Sequence, residues 1–318
     1  SRYSDVKRSC GRTGYGALAG RLLGFGLLGG DTGVFCHSKG VVMGVMSIST
    51  DQIARGISDT RKSDIARGFG IASGTYESAS RLQRFMGNTM LQKFEFRESQ
   101  DHDLTLLDLG CGTGWFTRKF ADFGQIESLS GVDLSPGMLE QARKNGPAGI
   151  SWIVGDAEHL PLPDSSVDVI FSNLMIQWCD DPGAVLRECR RILRPGGNLM
   201  VSTLLDGTLR ELKSAWQAAD PGHQHVNRFE TDLALQAKVR AELPDAVVEE
   251  RTISLPYESP MALAGELRHL GAGFRGAGRR RAATAPGRMR EMCRQYPKEP
   301  DGTIMASYEA AWVYWQKP

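Results

Sequence analysis

The sequence predicts an α/β protein: a mostly parallel, seven-stranded sheet with helices on both faces, an N-terminal helical lid and a late insertion. Three observations predict it. An apolar run, Leu106-Leu107, ends in Asp108 and then in three glycines at alternate positions, Gly110, Gly112 and Gly114, before a helix-like segment opens at Trp115. Strand-like and helix-like stretches alternate from there to residue 219, the pattern of a parallel sheet with crossover helices. Three successive strand-like stretches end at an acid, Asp108, Asp133 and Asp156, and in such sheets ligands sit at the carboxyl ends of the strands.

The chain has 318 residues, of which 41% are hydrophobic, enough for one sizeable domain with a small appendage. Its net charge of +1 gives no general case for nucleic acid or membrane, so charge-driven recognition must be local. Six cysteines are scattered without a C-x-x-C pair, which reads as a reduced, cytoplasmic setting without zinc. The histidines show no metal-ligand spacing, so no metal site is expected.

Residues 1–45 are rich in glycine and leucine and are interrupted by Arg21, too broken for a membrane span. They read as a disordered or non-native extension with a natural start at Met43 or Met46, or as a targeting segment given Arg12, Arg21 and few acids. Residues 46–100 read as a helical cap, with Ile65, Phe69, Tyr76, Leu82, Phe85 and Leu91 as its apolar set and Gly68, Gly70 and Gly74 allowing it to bend. Tyr76 is then either a lid residue over a pocket or a core residue. Residues 101–318 form the sheet domain. Strands are expected at 105–109, 129–132, 151–154, 167–171 and 199–203, and helices at 115–123, 136–144, 182–193 and 209–219. Pro136 suits a first helical turn. Arg194-Pro195-Gly196-Gly197 reads as a turn into the next strand. Two more strands are expected at 247–255 and 308–315, separated by an insertion at about 261–296 that holds a helix and a basic, glycine-rich stretch.

The nicotinamide-type fingerprint G-x-G-x-x-G fails, because Trp115 or Thr117 stands where its last glycine belongs. The observed D-x-G-x-G-x-G resembles motif I of the S-adenosylmethionine (SAM) dependent methyltransferases of Rossmann-like, class I fold. Asp133, in Gly131-Val132-Asp133-Leu134-Ser135, stands about 20 residues further on, where a carboxylate grips ribose hydroxyls. In that superfamily the acid of Val154-Gly155-Asp156-Ala157-Glu158 faces the adenine amino group. The cofactor set implied by the resemblance is Asp108, Gly110, Gly112, Gly114, Asp133, Leu134, Asp156, Ala157 and Asn173.

More specific segments follow: Ser172-Asn173-Leu174 with Gln177-Trp178-Cys179, Trp216-Gln217-Ala218-Ala219-Asp220, His225-Val226-Asn227-Arg228-Phe229, and, earlier, Tyr76-Glu77 with Leu82-Gln83-Arg84. With Leu267-Arg268-His269-Leu270 they resemble the malonyl-acyl-carrier-protein O-methyltransferases of biotin synthesis, from about Ile65 to the C-terminus. The resemblance implies methylation of the free carboxylate of a malonyl thioester on acyl-carrier protein, or on coenzyme A. A carboxylate is ionised at neutral pH, so no general base is expected; orientation is the main catalytic device, worth up to about 7–11 kcal/mol. Arginine matches a carboxylate bidentately, which makes Arg228 the candidate acceptor group, with Tyr76 and Gln177 as partners. An acidic carrier would suit a basic patch, and Arg268, Arg275, Arg279, Arg280 and Arg281 in the insertion are candidates; a solvated charged face is the plainer reading. Two other functions stay open: a quinone-type small-molecule methyltransferase, and a non-catalytic SAM-binding subunit. The intact glycines and Asp133 argue against the second.

Overall fold

The computed structural model describes residues 60–93, 104–274 and 284–318. The extension expected at 1–45 lies outside them, as do Arg275, Arg279, Arg280 and Arg281 of the expected docking patch.

The chain enters through helix α1 (Thr60–Ala72), a 3-10 turn at Glu77–Ala79 and helix α2 (Arg81–Lys93). The expected bend falls between the helices, where Thr75 N and Tyr76 N both donate to Ala72 O, at 2.9 and 3.0 Å. Next come β1 (Leu104–Leu109), α3 (Trp115–Phe120), β2 (Ile126–Asp133), α4 (Pro136–Asn145), β3 (Ser151–Val154), β4 (Val167–Asn173), α5 (Pro182–Ile192) and β5 (Leu193–Leu204). The C-terminal part adds α6 (Arg210–Ala219), α7 (Asp232–Glu242), β6 (Val247–Tyr257), α8 (Pro260–His269), α9 (Pro286–Gln295) and β7 (Ile304–Gln316).

The seven strands lie in the order β3-β2-β1-β4-β5-β7-β6. Every pair among the first five strands is parallel, and β7 runs antiparallel between β5 and β6. Strands β1 and β4 are buried along nearly their whole length, as central parallel strands covered on both faces must be. Alternation decides which core each residue joins. Leu106, Val169, Phe171 and Met200 face one layer with Met86, Phe116, Trp216 and Trp312. Leu107, Leu109, Ile170 and Leu199 face the other with Val185, Leu186, Leu235 and Val239.

The expected insertion lies between β6 and β7 and contains two helices, α8 and α9, rather than one. Helix α7 is unforeseen, although Thr231 caps it by accepting from Ala234 N at 3.2 Å. The turn expected at residues 194–197 is a bulge inside β5. Val167 pairs with Leu193 and Val169 with Asn198, so four residues stand opposite Asp168 alone. Arg194 then closes on Asp168, Nη1 to Oδ2 at 2.5 Å.

Two close approaches fix the N-terminal helices. A Cβ on Gly137 of α4 would lie 2.8 Å from the Cα of Gly70 in α1, and one on Gly87 of α2 would lie 2.0 Å from Phe116 Cζ. Trp312 Nε1 donates to Met86 O at 3.1 Å, pinning α2 to the sheet. The lid is thereby held over the carboxyl ends of β1, β2 and β4.

Candidate active site

The turn after β1 is built from backbone conformations that favour glycine. Gly110, Gly112 and Gly114 have φ of 75°, 55° and 76°. Gly110 N and Cys111 N both donate to Val132 O, at 2.7 and 3.0 Å, which ties the turn to the tip of β2. The acid at that tip accepts two backbone bonds, Asp133 Oδ2 from Gly112 N at 2.9 Å and Oδ1 from Ser135 N at 2.8 Å. Each oxygen keeps a lone pair for a ribose hydroxyl. Burial raises the Asp133 pKa against the pull of those bonds.

These groups line a cleft of about 720 Å³ with Leu134, Gly155, Asp156, Ala157, Asn173 and Met175. Of the expected cofactor residues, Gly110, Gly112, Asp133, Leu134, Asp156, Ala157 and Asn173 meet there. Gly114 does not line it. A Cβ there would strike Trp152 at 2.5 Å, so this glycine serves the packing of the α3 start against β3. Asp108 is also set apart. It is 2% exposed, accepts from Thr117 Oγ1 at 2.5 Å, and has its pKa pushed up to about 7 by burial, with the Asp133 charge adding to the rise.

Asp156 carries a partner the sequence did not suggest. Lys62 Nζ of α1 lies 2.7 Å from Asp156 Oδ2 and 2.9 Å from Glu158 Oε2, all three side chains being about nine-tenths buried. Burial alone would lower the lysine pKa; the two carboxylates outweigh it and raise it. Glu158 Oε1 also accepts from Asp180 N at 2.7 Å, so the cluster joins the lid to two strand-end loops. Asp156 Oδ1 accepts from Glu158 N at 3.0 Å and Oδ2 from Lys62, so each oxygen keeps a lone pair that an adenine amino group can use.

A recess opens beside the glycine turn, between Asp108, Gly110, Thr113, Trp115 and Arg84. The Arg84 guanidinium lies 5.2 Å from the Trp115 ring centre, and its buried Nε has no hydrogen-bond partner. A cation with an unmet donor, next to a buried acid, fits the carboxylate and ammonium of an amino-acid tail. Nucleobase, ribose and amino-acid tail thus each find a matching group, which is the inventory SAM requires. Arg84 was legible only as part of Leu82-Gln83-Arg84, and Lys62 gave no sequence signal.

A second cavity, of about 810 Å³, adjoins the first. Phe69, Tyr76, Leu174 and Trp178 line both. Phe69 meets Trp178 edge-on with ring centres 5.1 Å apart, and meets Tyr76 at 6.4 Å. Tyr76 also lines the recess, and the Gly112 Cβ position lies 3.8 Å from its ring. Of the two readings of Tyr76, this placement favours the lid. Burial, then the charges of Asp133 and Asp108, hold its phenol protonated. Leu174 has φ of 55°, which turns the chain sharply after β4 and sends its side chain between the cavities.

Gln177 lines the second cavity; its Nε2 donates to Leu174 O at 2.9 Å and its Oε1 accepts from Thr203 Oγ1 at 3.2 Å. Asn173 donates through Nδ2 to Gln83 O at 2.9 Å and accepts from Ser202 Oγ at 2.7 Å, so it braces the strand tip against α2. Arg228 departs from expectation. Its neighbours Val226, Asn227 and Phe229 line the second cavity, but its own side chain is exposed and turned away. With the Gln224 amide oxygen facing it, the guanidinium donates from Nε at 3.0 Å and Nη2 at 2.6 Å. Arg268, on α8, is exposed. His225, from the same segment as Arg228, does line the cavity.

Comparison with known proteins agrees with this geometry. The methyltransferase domain family matches residues 107–201. Protein YcgJ of Bacillus subtilis shares the fold, with a TM-score of 0.52 at 19% identity, over 74% of this chain and 98% of that one. A biotin biosynthesis bifunctional protein BioHC of Cellvibrio japonicus is 39% identical over 260 residues; the match covers 81% of this chain and spans half the length of that relative. A malonyl-[acyl-carrier protein] O-methyltransferase of Serratia marcescens is 37% identical over 251 residues, covering 79% of this chain and 94% of that protein. With the glycine turn, the acid at the tip of β2 and the lid in place, and with that identity across nearly the whole of a relative, the chain belongs to the malonyl-[acyl-carrier protein] O-methyltransferase family of SAM-dependent enzymes.

Proposed function

We propose that the chain methylates the free carboxylate of a malonyl group carried on acyl-carrier protein, an early step of biotin synthesis in the cytoplasm. The observation that carries this reading is the pair of cavities meeting at Phe69, Tyr76, Leu174 and Trp178. One holds the groups that suit SAM. The other is mostly apolar, with a few placed polar side chains, as an acyl acceptor needs. SAM supplies an electrophilic methyl on a sulfonium. An acceptor carboxylate oxygen forms the new bond to that carbon as the carbon–sulfur bond breaks, leaving a methyl ester and S-adenosylhomocysteine. No proton moves, so Tyr76 and Gln177 act by placement and by excluding water. The ester removes the charge, and elongation enzymes can then treat the cap as an ordinary acyl end.

Carrier docking is proposed for the face that carries Arg268, with Arg275, Arg279, Arg280 and Arg281 following it in sequence; five arginines within fourteen residues suit an acidic partner. The test of the reaction is intact-mass analysis of carrier protein after incubation with the enzyme and SAM. Malonyl-, succinyl- and acetyl-carrier run side by side. One added methyl on malonyl-carrier and none on acetyl-carrier is the expected result. No methylation of any carrier while SAM still binds would transfer the reading to a small-molecule acceptor.

A further inference from the structure

An acceptor carboxylate must find a positive group in the second cavity. Arg228 is turned away from it, and among the described residues that line it only two carry acid–base charge, Glu266 and His225. Glu266 is already matched. Its Oε2 lies 3.1 Å from Arg81 Nε, and its Oε1 accepts from Tyr257 O–H at 2.8 Å. His225 is the basic group that remains.

Its surroundings are built to hold the ring in one pose. Nε2 lies 2.9 Å from Asp220 Oδ2, and the Asp220 side chain is 3% exposed. The ring stacks on Trp216 with centres 3.9 Å apart and planes 10° from parallel. Asp220 closes the last turn of α6, its N–H donating to Trp216 O at 2.8 Å, so ring and carboxylate are fixed by the same helix end. Its other oxygen is approached by His223 Nδ1 and by Arg288 Nε, each at 3.3 Å. A carboxylate at Nε2 keeps a proton on that nitrogen. Nδ1 is then the nitrogen left for a ligand, and among the described residues it has no hydrogen-bond partner.

We infer that His225, oriented by Asp220 and Trp216, binds the free carboxylate of the acceptor and selects for it. It gives Nε2–H to Asp220 and offers Nδ1–H to one carboxylate oxygen. The other oxygen keeps its lone pairs for the methyl group. A guanidinium clamping both oxygens would bind more strongly and blunt the nucleophile, so a single donor suits the reaction. The Trp216-x-x-x-Asp220 spacing and the His225 that follows therefore form one device for acceptor recognition.

This rests on the acceptor reading above, and the experiment separates the two. Dissociation constants for malonyl-carrier and acetyl-carrier are measured on the full chain with S-adenosylhomocysteine present, for the wild type, His225→Gln and His225→Phe. The phenyl ring keeps the stack on Trp216 and removes both nitrogens. We expect malonyl-carrier affinity to fall about 10- to 100-fold in both variants. Acetyl-carrier and S-adenosylhomocysteine affinities hold, so the preference for the charged acyl group collapses. With malonyl-carrier and SAM the loss appears mainly in KM. An unchanged malonyl preference, or an equal fall for both carriers, overturns the inference. A wild type that methylates no carrier overturns the acceptor reading, and this inference with it, without reference to the variants.

Discussion

The two cavities that share the aromatic wall are built in opposite ways. The cofactor cleft is made by consecutive strand ends: the glycine turn after β1, Asp133 at the end of β2, and Asp156 and Ala157 after β3. Its turn and the acid at the tip of β2 are set by backbone bonds such as Gly112 N to Asp133, although Asp156 is also tied to the side chain of Lys62. The acceptor cavity draws on α2, the segment after β4, the loop before α7, α8 and β7, and its polar groups are set by side chains from distant segments. A site made of local turns tolerates little change in its backbone. A site made of packed side chains can be altered one group at a time.

The sharpest way to break the first half of that contrast is Gly110→Ala. The position has φ of 75°, and a Cβ would sit 2.2 Å from Met175 Cγ. Backbone strain and overpacking together cost about 2–6 kcal/mol. The distortion falls where the methyl donor must lie, so SAM binding by calorimetry should be lost along with stability in urea. A variant that bound SAM normally would show that the turn is not the rigid part of the site.

A second test concerns Asp108, whose burial belongs to the cofactor half. Its folded pKa, about 7, stands above the ordinary 3.8. The folded state therefore holds this proton where the unfolded chain has released it, and its contribution to stability declines as pH rises through that window. Asp108→Asn removes the titration. Relative to the wild type, the variant should gain about 3 kcal/mol between pH 5 and pH 8 in ligand-free urea unfolding. Parallel pH profiles for the two proteins would mean that Asp108 is ionised throughout.

The same contrast explains what the sequence disclosed. Gly110, Gly112 and Asp133 can be read because a strand, a turn and the tip of the next strand follow one another at a regular spacing. The parallel strands can be read for the same reason; the last two strands can be placed, but their antiparallel direction comes only from the pairing of β5, β7 and β6. Gly114 shows that glycine answers two needs, close ligand approach and close packing: a Cβ there would meet Trp152, which no neighbouring residue announces. Arg228 was chosen for its chemistry, yet His225, three residues earlier, lines the cavity. His225 is held by Trp216 and Asp220, while Arg228 is held by Gln224 outside the cavity. Lys62 was invisible because its partners, Asp156 and Glu158, lie more than 90 residues away.

The smallest change tests whether the two halves are separable. Tyr308 and Tyr257 share a hydrogen bond, O to O, of 3.1 Å, and Tyr257 donates to Glu266. Tyr308 is therefore the donor to Tyr257, and Tyr308→Phe deletes that bond alone while keeping the ring in the core. It should cost about 1 kcal/mol in urea unfolding. Tyr308 lines the acceptor cavity and not the cofactor cleft, so SAM affinity should stay within about twofold of the wild type, because a net change below about 0.4 kcal/mol is a factor of two. A tenfold loss of SAM affinity would mean that strain in the acceptor wall reaches the methyl donor through Tyr76 and Leu174. The two cavities would then be one mechanical unit, and acceptor selectivity could not be changed without disturbing cofactor binding.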